Sequence, residues 1–449
     1  EVVNLILDNF SHMRMSRKQS AMITSDGSVY NCGENDFNEL GRSGKRSLFN
    51  RVDILDTVSI ADIAIGDGFS LALSKDNSVY SWGVNSIGEL ATGHRNRIEK
   101  PRLNTKLTDS TDTSAVSIFS GSHHSMAITK SNGIVSWGNN RKGQLGSDSA
   151  VIQQQYLSTS ADLTTTSNNS ANDSNILNAK SILSLRHRPI AQISCGEEFS
   201  LALTNTGLIY SWGMNDSGQL GVGDNCTRYR PTLVTSLKSA KISLISSGGS
   251  HSSGVSLYGS LFSWGNNQHG QCGCSPKENR TIQLPRVVEF SNNNSNSNGN
   301  GNGNNISNTV HDVVCGSAHT LIISSSSNNK NSPPSYLPSG QKQKEVYAMG
   351  LNSSGQLGIG HVIDVCSPTL IQRHGVSDGQ TDSSNNHSNN NREMVPVAIY
   401  TGPLAFHSFI LYEYTMNDKN GPECSSPYTS PIIPTHHHTL SSSSSSSSS

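Results

Sequence analysis

Residues 209–224, IYSWGMNDSGQLGVGD, hold four glycines and one tryptophan in sixteen positions, a composition that suits neither a helix nor a regular strand. Five near copies occur elsewhere in the chain: VYNCGENDFNELGRSG (29–44), VYSWGVNSIGELATGH (79–94), IVSWGNNRKGQLGSDS (134–149), LFSWGNNQHGQCGCSP (261–276) and VYAMGLNSSGQLGIGH (346–361). The glycines Gly33 and Gly83 of two successive copies are 50 residues apart. A repeat of this length is typical of propeller blades or solenoid turns.

A second motif precedes each copy, as in ISCGEEFSLALT at residues 193–204. Six more versions occur: 13–24, 63–74, 118–129, 245–256, 313–324 and 400–411. Within the motif, apolar and small residues alternate at period two, and the Asn205-Thr206-Gly207 turn separates it from the next apolar run. This pattern predicts strand, tight turn and strand. With the apolar stretches farther upstream, each repeat therefore predicts an antiparallel sheet of three to four strands.

Together, the elements Gly-x-x-His-Ser-x-x-Leu and Ser-Trp-Gly-x-Asn-x-x-Gly-Gln-Leu-Gly resemble the repeat of the regulator of chromosome condensation family, over roughly residues 3 to 414. The resemblance implies an all-β fold, a seven-bladed β-propeller of four-stranded antiparallel blades that is closed by strands from both chain ends. Only six copies of the first motif accompany the seven versions of the second motif. We therefore expect a seventh blade that is incomplete, or that is completed by sequence upstream of Glu1.

Polar, low-complexity tracts lengthen two of the repeats. Such tracts bury too little apolar surface to offset the entropy of ordering the chain. We predict a propeller at residues 1–414 with disordered insertions near 150–180, 291–309, 324–344 and 375–392, and a disordered Ser-rich tail at 415–449.

The repeated polar and aromatic residues are predicted to be structural. They are Trp82, Trp137, Trp212 and Trp264 together with Asn85, Asn140, Asn215, Asn267 and Asn352. A strand that leaves a sheet must reverse sharply, so glycine supplies a positive φ and the Asn side chain bonds to nearby backbone. A buried amide such as Gln219 satisfies backbone groups that no ladder reaches.

Composition narrows the class of protein. The chain has 32 Lys plus Arg and 33 Asp plus Glu, a formal net charge of −1, so no global basic field attracts nucleic acid or an anionic membrane. We find no transmembrane-length apolar run and no signal peptide, and we expect a cytoplasmic protein, with the nucleus as the second compartment.

The scattered cysteines do not predict a disulfide scaffold. The adjacent His436, His437 and His438 do not predict a metal site.

Residues just after the repeated glycine differ between copies, and a propeller carries function on such loops. The candidate partner-binding face is therefore Asp67, Phe69, His123, His124, Glu197, Glu198, Phe199, His251, His319 and His407. Within it, Asp67, Glu197 and Glu198 are predicted to form an acidic patch that receives a basic region of a partner. The alternative is that these acids are only solvated and that the histidines cap strands.

Basic residues after the Gly-Gln-Leu-Gly turns suggest a second surface. This candidate basic rim is Arg95, Arg97, Lys100, Arg102, Arg228 and Arg230. A basic rim favours an acidic or phosphate-bearing partner. Solvated loops explain the same pattern.

No catalytic residues, metal ligands or cofactors are predicted. The GVSDG sequence at 375–379 matches G-x-S-x-G but runs into a polar tract instead of a helix. The founding member of the family is a nucleotide exchange factor for the small GTPase Ran, with a basic tail and a hairpin wedge, neither of which we find. We therefore expect a monomeric scaffold for protein partners without covalent catalysis. The alternative is an exchange factor for a Ras-superfamily small GTPase.

Overall fold

The computed structural model describes residues 10–108, 113–147, 175–290, 308–326, 344–371, 393–403 and 405–415. These residues form six four-stranded antiparallel sheets and one two-stranded sheet, and within each sheet the strands follow in chain order. In this described part of the chain, no helix is both long and apolar enough to span a membrane.

The first three sheets contain twelve strands. Sheet 1 has β1 (Phe10–Met15), β2 (Gln19–Thr24), β3 (Val29–Gly33) and β4 (Asn50–Arg51). Sheet 2 has β5 (Ile60–Ile65), β6 (Phe69–Ser74), β7 (Val79–Gly83) and β8 (Ile98–Leu103). Sheet 3 has β9 (Ala115–Ser120), β10 (His124–Thr129), β11 (Ile134–Gly138) and β12 (Ile176–Ser181).

The other four sheets contain fourteen strands. Sheet 4 has β13 (Ile190–Cys195), β14 (Phe199–Thr204), β15 (Ile209–Gly213) and β16 (Arg228–Leu233). Sheet 5 has β17 (Ile242–Ser247), β18 (His251–Ser256), β19 (Leu261–Asn266) and β20 (Thr281–Val287). Sheet 6 has β21 (Asn308–Cys315), β22 (His319–Ser326), β23 (Lys344–Gly350) and β24 (Val365–Leu370), and sheet 7 has β25 (Glu393–Tyr400) and β26 (Phe409–Thr415).

Short helical turns lead from one sheet to the next. They are Asp53–Leu55, Thr105–Thr108, Leu183–Leu185 and Thr235–Leu237. Each turn buries one leucine, namely Leu55, Leu107, Leu185 or Leu237. The connection is therefore anchored to the core by a single apolar side chain.

The sheets are arranged in a closed ring. The first strand of each sheet contacts the first strands of its two neighbours, in the order β1, β5, β9, β13, β17, β21, β25 and back to β1. The first strands are therefore innermost and the sheets radiate outward, which confirms the predicted all-β propeller.

The seventh sheet differs from the prediction of four-stranded blades throughout. Among the described residues it has only β25 and β26, which pair with each other. Strand β1 pairs only with β2 of sheet 1, so no blade in the described residues joins strands from both chain ends. Sheet 7 instead closes the ring by packing its first strand against β1.

The second strand of each four-stranded sheet is buried on both faces. All six residues of β14 are buried. Leu201 and Leu203 share a core cluster with Trp264 of sheet 5. Ala202 and Trp212 share another cluster with Met126 of sheet 3. The residues that alternate along this strand thus pack against a different neighbouring sheet on each of its two faces.

Three of the predicted insertions are wider than the structure allows. Strand β12 begins within the predicted insertion 150–180, and residues 176–181 pair with β11 as the outer strand of sheet 3. Strand β21 begins at Asn308 and β22 reaches Ser326, so both enter predicted disordered tracts. The remaining parts of the insertions and residues 416–449 lie outside the described residues.

Tryptophan connects neighbouring sheets. The Trp212 indole Nε1–H donates to the backbone carbonyl of Gln144, 2.8 Å away in the loop of sheet 3. The same carbonyl accepts from the Ser200 hydroxyl at 2.9 Å. Equivalent indole bonds join Trp82 to Glu39 (2.8 Å), Trp137 to Glu89 (2.7 Å) and Trp264 to Gln219 (2.9 Å). Sheet 6 has Met349 at this position, and Thr320 donates to the Gln271 carbonyl at 2.9 Å.

The loop after each Trp-Gly pair is held by its Asn and by its Gln or Glu. In sheet 4, Asn215 Oδ1 accepts the Leu220 N–H at 3.0 Å, and its Nδ2 donates to the Asp224 carbonyl at 2.8 Å. Gln219 Oε1 accepts the Ser217 N–H at 2.9 Å. The Asn Oδ1 bond recurs at Asn35, Asn85, Asn140, Asn267 and Asn352.

The glycine after tryptophan is required by space as well as by conformation. Gly213 has φ +104°, and a Cβ there would lie 2.6 Å from the Phe199 Cα and 2.7 Å from the Glu198 carbonyl oxygen. Gly355, in the loop of sheet 6, has φ +73°, but a Cβ there would meet nothing within 4 Å.

This pair of glycines gives a matched test. We expect Gly213→Ala to lower the free energy of unfolding by about 3 kcal/mol or more, because it adds a backbone clash to the strain of a positive φ. Gly355→Ala should cost about 1–2 kcal/mol, from strain alone. Urea denaturation of both variants measures the difference, and equal losses would show that the contact with Phe199 is not restrictive.

Candidate functional site

The turns between the first and second strands of the sheets lie at one end of the ring, which we call the upper face. Their backbones are bonded to one another in series. The bonds run from N–H to carbonyl: Asp67 to Ser122 (2.9 Å), Ser122 to Glu197 (3.2 Å), Glu197 to Gly249 (3.4 Å), Gly249 to Ser317 (3.1 Å) and Ser317 to Ala405 (2.9 Å). Sheets 2 to 7 therefore present their turn side chains on a linked backbone platform around the central axis.

Half of the predicted partner-binding residues lie inside the protein. Phe69, His124, Phe199, His251 and His319 are each 0% exposed. They begin the second strands and fill the space between adjacent sheets, so they cannot contact a partner, and their assignment to a binding surface is wrong.

The buried histidines join each sheet to the next. Their Nε2 atoms lie 3.0 Å (His124 to Ser200), 2.9 Å (His251 to Thr320) and 2.7 Å (His319 to Ser408) from hydroxyl oxygens of the following sheet. The half-buried His407 makes the same contact with Ser20 at 2.9 Å. The Thr320 hydroxyl already donates to the Gln271 carbonyl, so His251 must donate from Nε2.

Burial sets the charge of these histidines. It lowers the pKa of His124 and of His251 to about 3, and that of His319 to about 4. They are therefore neutral at physiological pH. The sequence contains one sign of this structural role: Phe69 and Phe199 occupy the same repeat position as these histidines. A position filled by phenylalanine in other copies indicates a buried site, not an exposed polar one.

Four predicted residues remain at the surface of the upper face: Asp67, His123, Glu197 and Glu198. Burial, together with the neighbouring charges of Glu198 and Asp67, raises the pKa of Glu197, while Arg17 opposes the shift. The charges of Glu198 and Asp67 thus act on the Glu197 carboxylate. Glu197 and Glu198 are adjacent in the turn of sheet 4, and the turn of sheet 3 lies between them and Asp67 in the turn of sheet 2.

Sequence reasoning missed Arg17. Its Nη2 lies 3.6 Å from Glu197 Oε1, which joins the turn of sheet 1 to that of sheet 4. Arg17 also lies 5.7 Å from the centre of the Phe406 ring. In the copy MRMSRKQSAMIT, Arg17 and Lys18 occupy the positions of Glu197 and Glu198, a correspondence that could have revealed a mixed rather than acidic surface.

His123 faces a buried carboxylate. Its Nδ1 lies 3.6 Å from Oε1 of Glu89, whose side chain is 0% exposed. The other Glu89 oxygen accepts the Ile87 N–H at 2.9 Å. Contact with Glu89 raises the pKa of His123, and the charges of Asp67 and Glu198 add to the shift. Protonated His123 therefore compensates a negative charge that the fold withdraws from water.

The upper face is charged on one side only. Turns of sheets 1 to 4 carry the ionisable residues described above, whereas those of sheets 5 and 6 present Gly249, Ser250, Ser317 and Ala318. A partner would thus meet ionic groups on one half of the ring and small uncharged groups on the other.

The candidate basic rim lies on the outer edge of two non-adjacent sheets. Lys100 and Arg102 lie on β8, Arg228 and Arg230 lie on β16, and Arg95 and Arg97 precede β8. Arg228 pairs with Asp224 at 2.5 Å, and Arg97 with Glu99 at 3.8 Å. Because sheet 3 separates the two groups and acids neutralise part of each, they do not form one continuous basic surface.

Two other sequence features lie outside the described residues: the GVSDG sequence at 375–379 and the three histidines at 436–438. Among the residues that are described, no cluster of three or more His, Cys, Asp or Glu side chains could hold a metal ion.

Sequence models of two related families match the chain. The RCC1-like domain matches residues 3–322, and the regulator of chromosome condensation (RCC1) repeat matches residues 344–377. These matches cover most of the described propeller.

Curated relatives share this region. The chain is 30% identical over 356 residues to the human probable E3 ubiquitin-protein ligase HERC4, covering 79% of the chain and 28% of that protein. It is 26% identical over 372 residues to the Arabidopsis thaliana ultraviolet-B receptor UVR8, covering 80% of the chain and 69% of the receptor. It spans only 26% of the human probable E3 ubiquitin-protein ligase HERC6, at 28% identity over 68% of the chain.

Solved structures show the same fold at low identity. Prp20p from Saccharomyces cerevisiae, described with its binding properties to Gsp1p and histones, superposes with a TM-score of 0.64 at 19% identity, covering 91% of this chain and 83% of Prp20p. Human WBSCR16 gives a TM-score of 0.65 at 18% identity, covering 90% of this chain and 87% of that one.

The buried histidines predict acid sensitivity. The pKa of His251 is about 3 in the folded protein. Between about pH 6.5 and pH 3 the unfolded chain binds a proton at this histidine and the folded protein does not. The free energy of unfolding therefore falls as pH drops below about 6.5. Between pH 7.5 and pH 5, wild type should lose about 2 kcal/mol more than His251→Phe, since 1.4 kcal/mol corresponds to one pH unit. Urea unfolding at both pH values measures this, and equal losses would contradict it.

His123 provides a control of opposite sign. Its pKa is raised, so its stabilising effect is fully present below about pH 6.5 and is lost as pH rises through the folded pKa. His123→Asn should therefore be more destabilising at pH 5.5 than at pH 9. The difference should be at most about 1 kcal/mol, because solvent screens the half-exposed imidazole.

Proposed function

Because this chain belongs to the regulator of chromosome condensation family, we propose that it is a protein-binding scaffold whose upper face captures a basic segment of a partner protein. The single observation that carries the proposal is the grouping of Asp67, Glu197 and Glu198 at the surface of that face. Two turns supply these acids: Asp67 lies in the turn of sheet 2, and Glu197 and Glu198 lie in the turn of sheet 4. The charges of Glu198 and Asp67 add to the burial that raises the pKa of Glu197.

The division between buried and exposed residues supports the proposal. Residues that recur between copies, such as Trp212 in four copies and Asn215 in all six, are buried and hold neighbouring segments together. Residues that differ between copies, such as Glu197 and Glu198, lie at the surface on the linked turns. Propellers carry function on such variable loops, so sequence can change there without cost to the ring.

Arg17 suggests how a basic partner would bind. Its guanidinium reaches Glu197 at 3.6 Å, and both side chains are about 40% exposed, so this ion pair contributes little to stability. An incoming Lys or Arg could take the position of Arg17 beside Glu197 and also approach Asp67 and Glu198. The exchange of one weak ion pair for several would favour the complex.

The relatives are consistent with a binding module of this kind. Prp20p is described by its binding properties to Gsp1p and histones, which are protein partners. The chain covers only about a quarter of the probable ubiquitin ligases HERC4 and HERC6, so the shared region is one part of those proteins. In our proposal the propeller selects a partner, and no covalent step takes place on it.

Charge reversal tests the upper face. The Glu197→Lys/Glu198→Lys variant should bind captured protein partners about ten-fold or more weakly, because it replaces attraction by repulsion. Partners would be captured from cell extract on the tagged full chain, identified, purified and titrated at low and at physiological salt. Wild-type affinity should fall as salt rises.

A charge-matched control distinguishes a loss of binding at the upper face from an effect of the changed net charge. The Glu99→Lys/Glu289→Lys variant makes the same change at exposed positions on the outer strand β8 and beyond β20. It should retain partner binding within about two-fold, well below the ten-fold expected for the upper face. Equal binding by wild type and both variants would refute the acidic patch.

The exchange-factor alternative has its own test. We expect catalytic amounts of the full chain not to accelerate release of a fluorescent guanine nucleotide from a panel of small GTPases that includes Ran. Acceleration of any one GTPase would replace the scaffold proposal by nucleotide exchange. Circular dichroism and a cooperative melting transition would verify that the propeller used in the assay is folded.

A further inference from the structure

The end of the ring opposite the upper face, which we call the lower face, is also a continuous surface. It carries the turns between second and third strands and the connections between sheets. Each turn is bonded to the connection that enters its own sheet: Lys130 N–H to the Ser114 carbonyl (3.0 Å), Asn205 to Pro189 (3.0 Å) and Leu257 to Lys241 (2.9 Å). Residues from the turns and from the connections therefore lie side by side.

Charge is segregated on this face. From the β10–β11 turn to the β18–β19 turn, the five lower-face segments contain five Lys and Arg residues and no Asp or Glu: 130–133, 182–189, 205–207, 234–241 and 257–259. The five are Lys130, Arg186, Arg188, Lys238 and Lys241, and all are exposed. The corresponding segments of sheets 1 and 2 (25–27, 52–59 and 75–77) contain four Asp and one Lys.

The basic side of the lower face is not neutralised internally. Within the described residues, none of these five cations forms an ion pair with a carboxylate. Arg188 lies 4.8 Å from the centre of the Tyr210 ring and is held over it. The other four extend toward solvent, so the positive potential remains available to a ligand.

An apolar protrusion stands next to these cations. Leu257 and Tyr258 form the tip of the β18–β19 turn and are 68% and 72% exposed. At this position the other described turns carry Ser25-Asp26, Lys75-Asp76, Lys130-Ser131 and Asn205-Thr206. A tight turn does not require apolar residues, and two adjacent ones beside exposed lysines have the composition of a binding hot spot with a charged rim.

We propose that the lower face of sheets 3 to 5 binds an acidic segment of a partner protein that also carries an apolar side chain. The apolar side chain packs on Leu257 and Tyr258, and the acidic residues pair with Lys238 and Lys241. The required partner charge is opposite to that of the upper face, so this surface is independent of the proposed function and allows two partners to bind one propeller.

The composition of the patch favours a peptide over a nucleic acid. Single-stranded nucleic acid is bound by stacking bases on aromatic rings along a basic groove. Tyr258 offers one exposed ring, but Leu257 and Leu183, the latter 58% exposed on the connection between sheets 3 and 4, offer none that would continue a row of stacked bases. The net charge of −1 also supplies no long-range attraction for phosphates.

Selection from a random peptide display library on the purified full chain tests the proposal. We expect enriched peptides to combine Asp or Glu with Leu, Phe or Trp. The most enriched peptide, synthesised with a fluorescent label, is then titrated by anisotropy. Both Leu257→Ser/Tyr258→Ser and Lys238→Glu/Lys241→Glu should weaken its binding about ten-fold or more.

Two control variants locate the site. Lys75→Glu changes the equivalent turn of sheet 2, and Glu197→Lys/Glu198→Lys changes the upper face. Both should bind the peptide within about two-fold of wild type. The proposal is overturned if no peptide is enriched, if enriched peptides lack acidic residues, or if the lower-face variants bind as well as wild type. Tighter binding of a 20-nucleotide oligothymidylate that displaces the peptide would overturn it in favour of nucleic acid.

Discussion

The propeller depends on a hydrogen bond that crosses from each of sheets 2 to 5 to the preceding sheet. An indole N–H reaches a backbone carbonyl at the Gln or Glu of the neighbouring loop, as Trp212 does to Gln144. That loop leaves its own sheet and has no ladder partner for the carbonyl, so the indole and the Ser200 hydroxyl together satisfy a buried acceptor. A buried acceptor left without any donor would cost about 1–3 kcal/mol. The same tryptophan ring fills the space between the sheets. One residue thereby fixes both the loop and the angle between blades.

The ring is least regular where it closes. Sheet 1 has Cys32 and sheet 6 has Met349 in place of tryptophan, and sheet 7 has no Trp-Gly loop among the described residues. Side-chain hydrogen bonds to hydroxyl groups connect the neighbouring sheets there: His319 to Ser408, His407 to Ser20, and Gln19 to the Ser70 hydroxyl at 3.1 Å. A backbone approach adds to them, since a Cβ on Gly402 would lie 1.8 Å from the Met15 carbonyl oxygen. Close packing at this junction thus compensates for the missing indoles.

The sequence predicted the fold far better than the site, for a physical reason. Repetition reports what all blades share, which is the packing between sheets, so Trp212, Asn215 and Gly213 indicated the architecture directly. A binding surface consists of what the blades do not share, and one sequence gives no direction for those side chains. His124 and His123 are adjacent, yet one is buried and the other half-exposed. Arg17 was missed because its contact with Glu197 joins segments 180 residues apart.

The serial bonding of the upper turns restricts how anything can be recognised there. In each of five turns a main-chain N–H points sideways into the next carbonyl, so those donors are unavailable for anion nests or for the strand addition by which many domains hold an extended peptide. Ligand choice at this end of the protein must therefore be encoded in side chains alone. Each turn offers two adjacent positions, such as Glu197 and Glu198, that can be exchanged without altering a backbone bond. A family that keeps this arrangement can acquire new ligands by point substitution on an unchanged frame.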